Sequence, residues 1–388
     1  MLVVRCGTLI DGTGGPPLPN AVVCIEGDRI TSVAQGGPIP PGAQVVNAQE
    51  LTVLPGLIDA HDHLGIDMGD EHAQTLEPDP WTTIKAVHNA RRCLAAGITT
   101  LRDLGEKNHL DVQWRRATRE GLMVGPRLLI SGQFVTVTGG HAWFAGLEVD
   151  GDESIKRAIR AQGKQQVDLI KVMATGGAGT AGTEPTTPGF SEDEIRVAAA
   201  EARRLGRPVA VHCYGGPALR WCIDAGVHSV EHGAFAGAED LALMAERGVS
   251  LVSTFGVIQA ATTDPGVPRQ MQEKCRQILE IYLDTLRRAR EAGVRVAVGT
   301  DTYHAHMVEE CVALRDAGFS PMEAIQAATA HGAAVCLLED EVGTVVRGKA
   351  ADLVAVEGDP LRDVRALANV RFVIHDGQVH TPDGLIAG

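Results

Sequence analysis

The chain has 388 residues, 44% of them hydrophobic, enough for one large domain or two smaller ones around a substantial core. Its formal net charge is −14 with no Lys/Arg-rich run, which argues against nucleic acid or an anionic membrane as a partner. No apolar stretch is long enough to span a bilayer, and the eight cysteines are scattered without a CxxC pair, as expected of reduced thiols in a cytoplasmic protein.

The opening MLVVRCGTLIDGTGG lacks a basic n-region, a long apolar h-region and a small-residue cleavage site, so it reads as a first strand and turn. The runs MLVVRCGTLI, NAVVCIEGDRI and AQVVNAQELTVL, broken by Gly and Pro, predict a small antiparallel β unit. The far end repeats this character in GKAADLVAVEGDP and VRFVIHDGQVH, which predicts one small domain assembled from residues 1–56 and 346–388. Between them, residues 57–345 alternate short apolar runs with helical segments. In order the runs are LIDAHDHL, ITTLRDLG, RLLISG, DLIKVMATGG, RPVAVHCYGG, HSVEHGAF, VSLVSTF and VRVAVGTD. The segment SEDEIRVAAAEARRLG has apolar residues at helical spacing behind a Ser-x-x-Glu capping box. Eight strand–helix units predict an α/β fold, a closed (β/α)8 TIM barrel.

The chemistry gathers at the ends of those runs. In a strand, alternate side chains share a face, so His61 and His63 of LPGLIDAHDHLG point the same way. The fourth run carries Lys171 inside LIKVM, the fifth ends in His212, the sixth in His232 and the eighth in Asp301. Strand C-termini form the mouth of such a barrel, so these six residues converge. Alone, Lys171 would be a snorkelling lysine and His212 a core histidine; together they predict a metal site. An apolar surround depresses an amine's pKa, and a neutral Lys171 can take up CO2 to give a carbamate with two oxygens. The set therefore predicts a binuclear centre. His61, His63 and Asp301 would hold one divalent ion and His212 and His232 the other, with carboxylated Lys171 and a hydroxide between them. Nitrogen and oxygen donors without thiolate suit zinc first. Such a pair makes the bridging hydroxide a nucleophile near neutral pH, and Asp301 is placed to relay its proton to a leaving amine. His304 and His306 follow Asp301, and His304 is a candidate pocket residue. His228 reads as a core residue, and His72, His88, His109 and His331 as helix or loop surface. Asp62 and Cys213 point away from the metal face.

With these residues in place, the chain resembles the metal-dependent amidohydrolase superfamily, binuclear subtype, over nearly its full length. PGLIDAHDHL carries the opening motif, Lys171, His212, His232 and Asp301 follow in order, and GTVVRGKAADLVAVEGDPL looks like the closing β-domain signature. The resemblance implies that the two ends form a β-sandwich. DLIKVMATGGAGT, TGGH at Thr138–His141 and HCYG at His212–Gly215 are similar to the prolidase-like and Xaa-Arg dipeptidase-like branch. This implies amide hydrolysis of dipeptides or N-acyl amino acids with a free C-terminal carboxylate. Tyr214 would contact that carboxylate and His141 would lie over the metals near the scissile carbonyl. The expected partner is a small-molecule substrate, and the expected assembly a homo-oligomer. The same centre also serves cyclic amide, lactone or ester hydrolysis; a non-catalytic scaffold would lack ligands that are all present here.

Overall fold

The computed structural model describes residues 1–387. The N-terminal end supplies β1 (Leu2–Leu9), β2 (Leu18–Pro19), β3 (Ala21–Glu26), β4 (Arg29–Gln35) and β5 (Gln44–Pro55). The middle supplies β6 (Leu57–Asp62), β7 (Ile98–Asp103), β8 (Arg127–Ile130), β9 (Val135–Thr136), β10 (Leu147–Glu148), β11 (Ile170–Met173), β12 (Val209–Cys213), β13 (Ser229–His232), β14 (Ser250–Ser253) and β15 (Val296–Val298). The far end supplies β16 (Leu353–Val356), β17 (Val370–His375) and β18 (Gln378–His380).

Each of the eight apolar runs is a strand of the middle set. They pair only in parallel, as β6-β7-β8 and as β10-β9-β11-β12-β13-β14-β15. Parallel strands are covered on both faces, and β6, β7 and β11 to β15 are buried at every position. Helices such as Asp79–Ala95, Glu192–Arg204 and Arg269–Glu291 supply the cover. The box at Ser191 forms as expected, with Glu194 as its partner.

The ladder forms two arcs rather than the expected continuous ring. One seam is held by a single parallel bridge between Asp62 and Asp301, with the Asp301 N–H donating to the His61 carbonyl at 2.7 Å. The other is held by the Asp168 N–H donating to the Ile130 carbonyl at 2.8 Å. Both breaks have a local cause. β15 is three residues long and Asp301 beyond it has φ 56°, while β8 runs into Gly132 at φ 74°. Left-handed backbone at these points turns the chain out of the ladder.

The two ends do come together, as one eight-stranded sheet in the order β18-β17-β16-β5-β1-β3-β4, with β2 on β1. It is a single hydrogen-bonded sheet, and it is mixed rather than wholly antiparallel. The β3–β4 hairpin returns the chain to the start of β1, so β5 enters beside β1 in the same direction, with Leu2 opposite Gln44. The sheet has a core of its own from Val4, Val23, Ile25, Val53, Leu353 and Ile374. Only Gly56 separates β5 from β6, and a Cβ there would lie 2.1 Å from Thr99 Oγ1, so the entry into the parallel set needs glycine. Arg127 of β8 ties the two parts together, donating to Asp352 at 2.6 Å and to Asp376 at 2.8 Å.

Candidate active site

The strand ends bring the six sequence-identified residues to one place. His61 lies in β6 and His63 just past it, Lys171 in β11, His212 in β12, His232 at the end of β13 and Asp301 past β15. All are buried except Asp301, which is half-buried. His232 (φ 70°) and Asp301 (φ 56°) both have left-handed backbone, a conformation that surrounding structure must enforce at non-glycine residues.

Each imidazole is held from outside by one nitrogen. His61 Nδ1 lies 3.0 Å from Glu231 Oε2, His63 Nδ1 2.8 Å from the Gly105 carbonyl, His212 Nε2 2.9 Å from the Gly176 carbonyl, and His232 Nδ1 2.7 Å from Thr254 Oγ1. Donation to the carboxylate and the two carbonyls fixes three tautomers and leaves a lone pair on the other nitrogen of those rings. Those nitrogens point into one cluster, in which His212 Nδ1 accepts a hydrogen bond from His232 Nε2. His61 Nε2 and His63 Nε2 each lie 4.0 Å from an Asp301 oxygen, and His232 Nε2 lies 2.9 Å from His212 Nδ1. Burial, reinforced by Lys171, pushes His61 and His63 down, the latter to about 3. Burial also pushes His212 and His232 down, which favours the neutral form of all four rings. Burial raises the Asp301 carboxyl to about 6 against the opposing pull of Lys171.

Lys171 is the anomaly. It is 1% exposed, and its Nζ has no hydrogen-bond partner. A buried ammonium without an acceptor is costly, and burial pushes the amine down to about 8 although Glu231 and Asp301 oppose it. Divalent cations fit this donor set. Neutral imidazoles turn lone pairs inward, one donor atom each of His61, His63 and Asp301 lie within 4.8 Å of one another, and an orphaned nitrogen sits among them.

These groups open into a cavity at the ends of the parallel strands. His141 and Tyr214 line it. The His141 ring centroid is 4.1 Å from that of His212, and its Nδ1 is 2.9 Å from Thr180 Oγ1. Tyr214 stacks on His232 at 4.7 Å and 15° and meets His212 edge-on. His304 does not line the cavity. It is buried behind the wall, Nδ1 2.8 Å from Asp62 and Nε2 3.1 Å from the Ile66 carbonyl, and Asp62 and Asp67 outweigh its burial to push it up to about 10. The expected pocket role thus gives way to an internal ion pair between His304 and Asp62. His306 stacks on Tyr303, and His228 reaches the Val335 carbonyl. His331 and His109 are half-buried rather than on the surface, His331 being bonded to the Val296 carbonyl.

Sequence reasoning missed the rest of the wall. Phe134, Phe144, Met173, Val257, Ile258 and Met271 make it apolar, and Glu71 adds a second carboxyl. Val257 and Ile258 stand on the short helix Phe255–Ala261 directly after β14, so extending the strand-end rule by one turn would have found them. Glu71 lies in a long connection without periodicity and gave no signal.

Three comparisons bear on this geometry. The sequence pattern of the amidohydrolase family matches residues 52–382. An ochratoxinase from Aspergillus niger is 30% identical over 413 aligned positions, which cover 96% of this chain and 84% of that protein. Among solved structures, a Xaa-Pro dipeptidase with methionine bound in its active site is similar at 30% identity and a TM-score of 0.92, covering 98% of this chain and 99% of the other. A prolidase complexed with N-methylphosphonate-L-proline is similar at 27% identity and a TM-score of 0.93, with the same coverage.

Proposed function

The chain belongs to the amidohydrolase family and is a hydrolase acting on carbon–nitrogen bonds, and from that premise we propose that it cleaves the amide bond of dipeptides or N-acyl amino acids with a free C-terminal carboxylate, using two divalent metal ions. The observation that carries the reading is Lys171 Nζ, buried without a partner among four inward-facing imidazoles. His61, His63 and Asp301 would hold one ion and His212 and His232 the other, with Lys171, carboxylated by CO2, shared between them. Zinc suits these nitrogen and oxygen donors. Bound there, the ions supply Lewis acidity toward a carbonyl and lower the pKa of water.

The chain's own residues do the rest. Asp301, half-buried and facing His61 and His63, takes a proton from the attacking water and delivers it to the departing amine. His141, neutral because burial pushes it down to about 3, turns its remaining nitrogen to the scissile carbonyl while Thr180 fixes the ring. Tyr214, rigid against two imidazoles, donates its hydroxyl to the substrate carboxylate, since a carboxylate taken out of water needs a donor. The apolar wall receives the side chains and thins the water around the reacting atoms. Relatives named as an ochratoxinase, a dipeptidase and a prolidase support this branch of the family. The reading takes residues 57–345 as the catalytic (β/α)8 domain and 1–56 with 346–388 as its β-rich companion. The enzyme is cytoplasmic and homo-oligomeric in this reading. Eight free cysteines suit a reducing compartment, and no helix of the described residues is long and apolar enough to cross a membrane.

Tyr214→Phe tests the branch. It keeps the ring and removes the hydroxyl, and should lower kcat/KM for free-carboxylate substrates about tenfold or more, the worth of a hydrogen bond to a charged group. Substrates with that carboxylate amidated should be poor already and nearly insensitive to the change. Equal losses on both would remove Tyr214 from carboxylate reading and put cyclic amide or ester hydrolysis ahead.

A further inference from the structure

Glu71 opens the helix Glu71–Thr75 in the connection after β6. The helix is pinned. Asp70 caps it through the Ala73 N–H at 3.0 Å, and Gln74 exchanges hydrogen bonds with the Asp67 backbone at 2.6 and 2.8 Å. Next to Glu71, His72 stacks on Phe144 at 5.0 Å, which fastens the helix to the loop that carries His141. The Glu71 carboxyl faces the Gly-rich loop after β11. A Cβ on Gly179 would lie 2.6 Å from Oε2 and 3.1 Å from Oε1, so glycine there leaves the room the carboxyl occupies. That loop is also fastened, because the buried Lys274 ammonium donates to the carbonyls of Gly177, Thr180 and Thr183. Glu71 and Gly179 both line the catalytic cavity.

The carboxyl has no cationic neighbour to explain it. Among the described residues, none of its ion pairs or hydrogen bonds involves Lys, Arg or His, while the charges closest in effect are Asp301 and Asp70. Glu71 is half-buried, and this burial first, then the two carboxylates, push it up to about 8. A cation arriving here would stabilise the carboxylate. The cavity's one lysine, Lys171, lies among the imidazoles at the other carboxylate. A single carboxyl held on a pinned helix in an otherwise apolar wall is a small number of polar groups fixing orientation in a ligand site.

We propose that Glu71 is a specificity-determining residue that receives a cationic nitrogen of the substrate, so that the enzyme selects substrates carrying an ammonium group over neutral ones of the same shape. The proposal rests on the amide-hydrolase reading above and sharpens it. The ammonium is either the free α-amino group of the acyl residue or that of a basic side chain on the leaving amino acid.

Three compounds separate these. Leucyl-leucine carries the α-ammonium, 4-methylpentanoyl-leucine is the same shape without it, and 4-methylpentanoyl-lysine carries the charge on the leaving side chain. Binding is measured by calorimetry on zinc-loaded Asp301→Asn protein, with and without Glu71→Gln, and turnover on the zinc-loaded enzyme with and without the same change. At least one cationic compound should bind tenfold or more tighter than the neutral one, and Glu71→Gln should erase that ratio while the thermal midpoint holds. Glu71→Asp should keep part of it. Which compound gains identifies the source of the charge. A neutral compound bound as tightly as both cationic ones, or a ratio that survives Glu71→Gln, overturns the proposal. Absence of turnover with the binding ratio intact overturns the amide-hydrolase reading and leaves the Glu71 assignment standing.

Discussion

Lys171 shows how one side chain can carry a functional argument. A lysine in an apolar strand usually extends its amine to water, and this one cannot, being 1% exposed with Nζ unpaired. Elemental analysis of protein expressed with ample zinc and bicarbonate should find about two divalent ions per chain. Lys171→Ala should lose metal and turnover together. Acetate or propionate should restore part of both, because a free carboxylate can stand where the carbamate stood. Lys171→Arg keeps charge and bulk, cannot be carboxylated, and should not be rescued. A Lys171→Ala protein with full metal content would remove the bridging role. The six strand-end residues were legible because strand periodicity is short-range and the barrel fixes which end carries function. Glu71 was not legible, because its meaning comes from Gly179, more than a hundred residues away in sequence.

At the scale of elements, the parallel arcs are braced from inside by charge. Arg102 of β7 donates to the Ala60 carbonyl of β6 at 2.6 Å, to Ser229 Oγ of β13 at 3.1 Å and to Glu231 of β13 at 2.9 Å. Glu231 in turn holds His61. The pair is 2% and 0% exposed, so each charge depends on the other. Arg102→Leu should cost about 3–5 kcal/mol by leaving Glu231 buried and unpaired, measured by chemical denaturation. The double change Arg102→Leu with Glu231→Gln should recover much of that loss, and failure to do so would assign the cost to packing. The sequence placed Arg102 and Glu231 on strands, but nothing in either run shows that they meet across the interior.

The whole molecule depends on joining the terminal sheet to the parallel strands. Asp352, just before β16, is the joint, contacted by Arg127 of β8 and by His375 of β17 at 3.0 Å. Burial would raise its carboxyl, but His375 and Arg127 outweigh burial and hold it at about 2. The folded pKa lies below the unfolded value near 3.9, so the stabilisation is present above that value and is lost as pH falls toward 2. Asp352→Asn should therefore destabilise the protein by about 2 kcal/mol between pH 5 and 7, on the worth of a shift of this size. The gap to wild type should narrow below pH 4. A gap independent of pH would mean that the joint works through shape rather than charge.

The sequence by itself determined the order of the elements, the mouth of the parallel strands and the identity of the metal-ligand candidates. Those follow from alternation along single strands and from glycine and proline punctuation, which act over a few residues. Tertiary structure alone decided that β1 and β5 run parallel, that the ring has two seams, that His304 faces Asp62 instead of the cavity and that Glu71 enters it. Each depends on what a segment meets after the chain has folded back on itself, and burial and charge pairing between distant residues leave no period in the sequence to read.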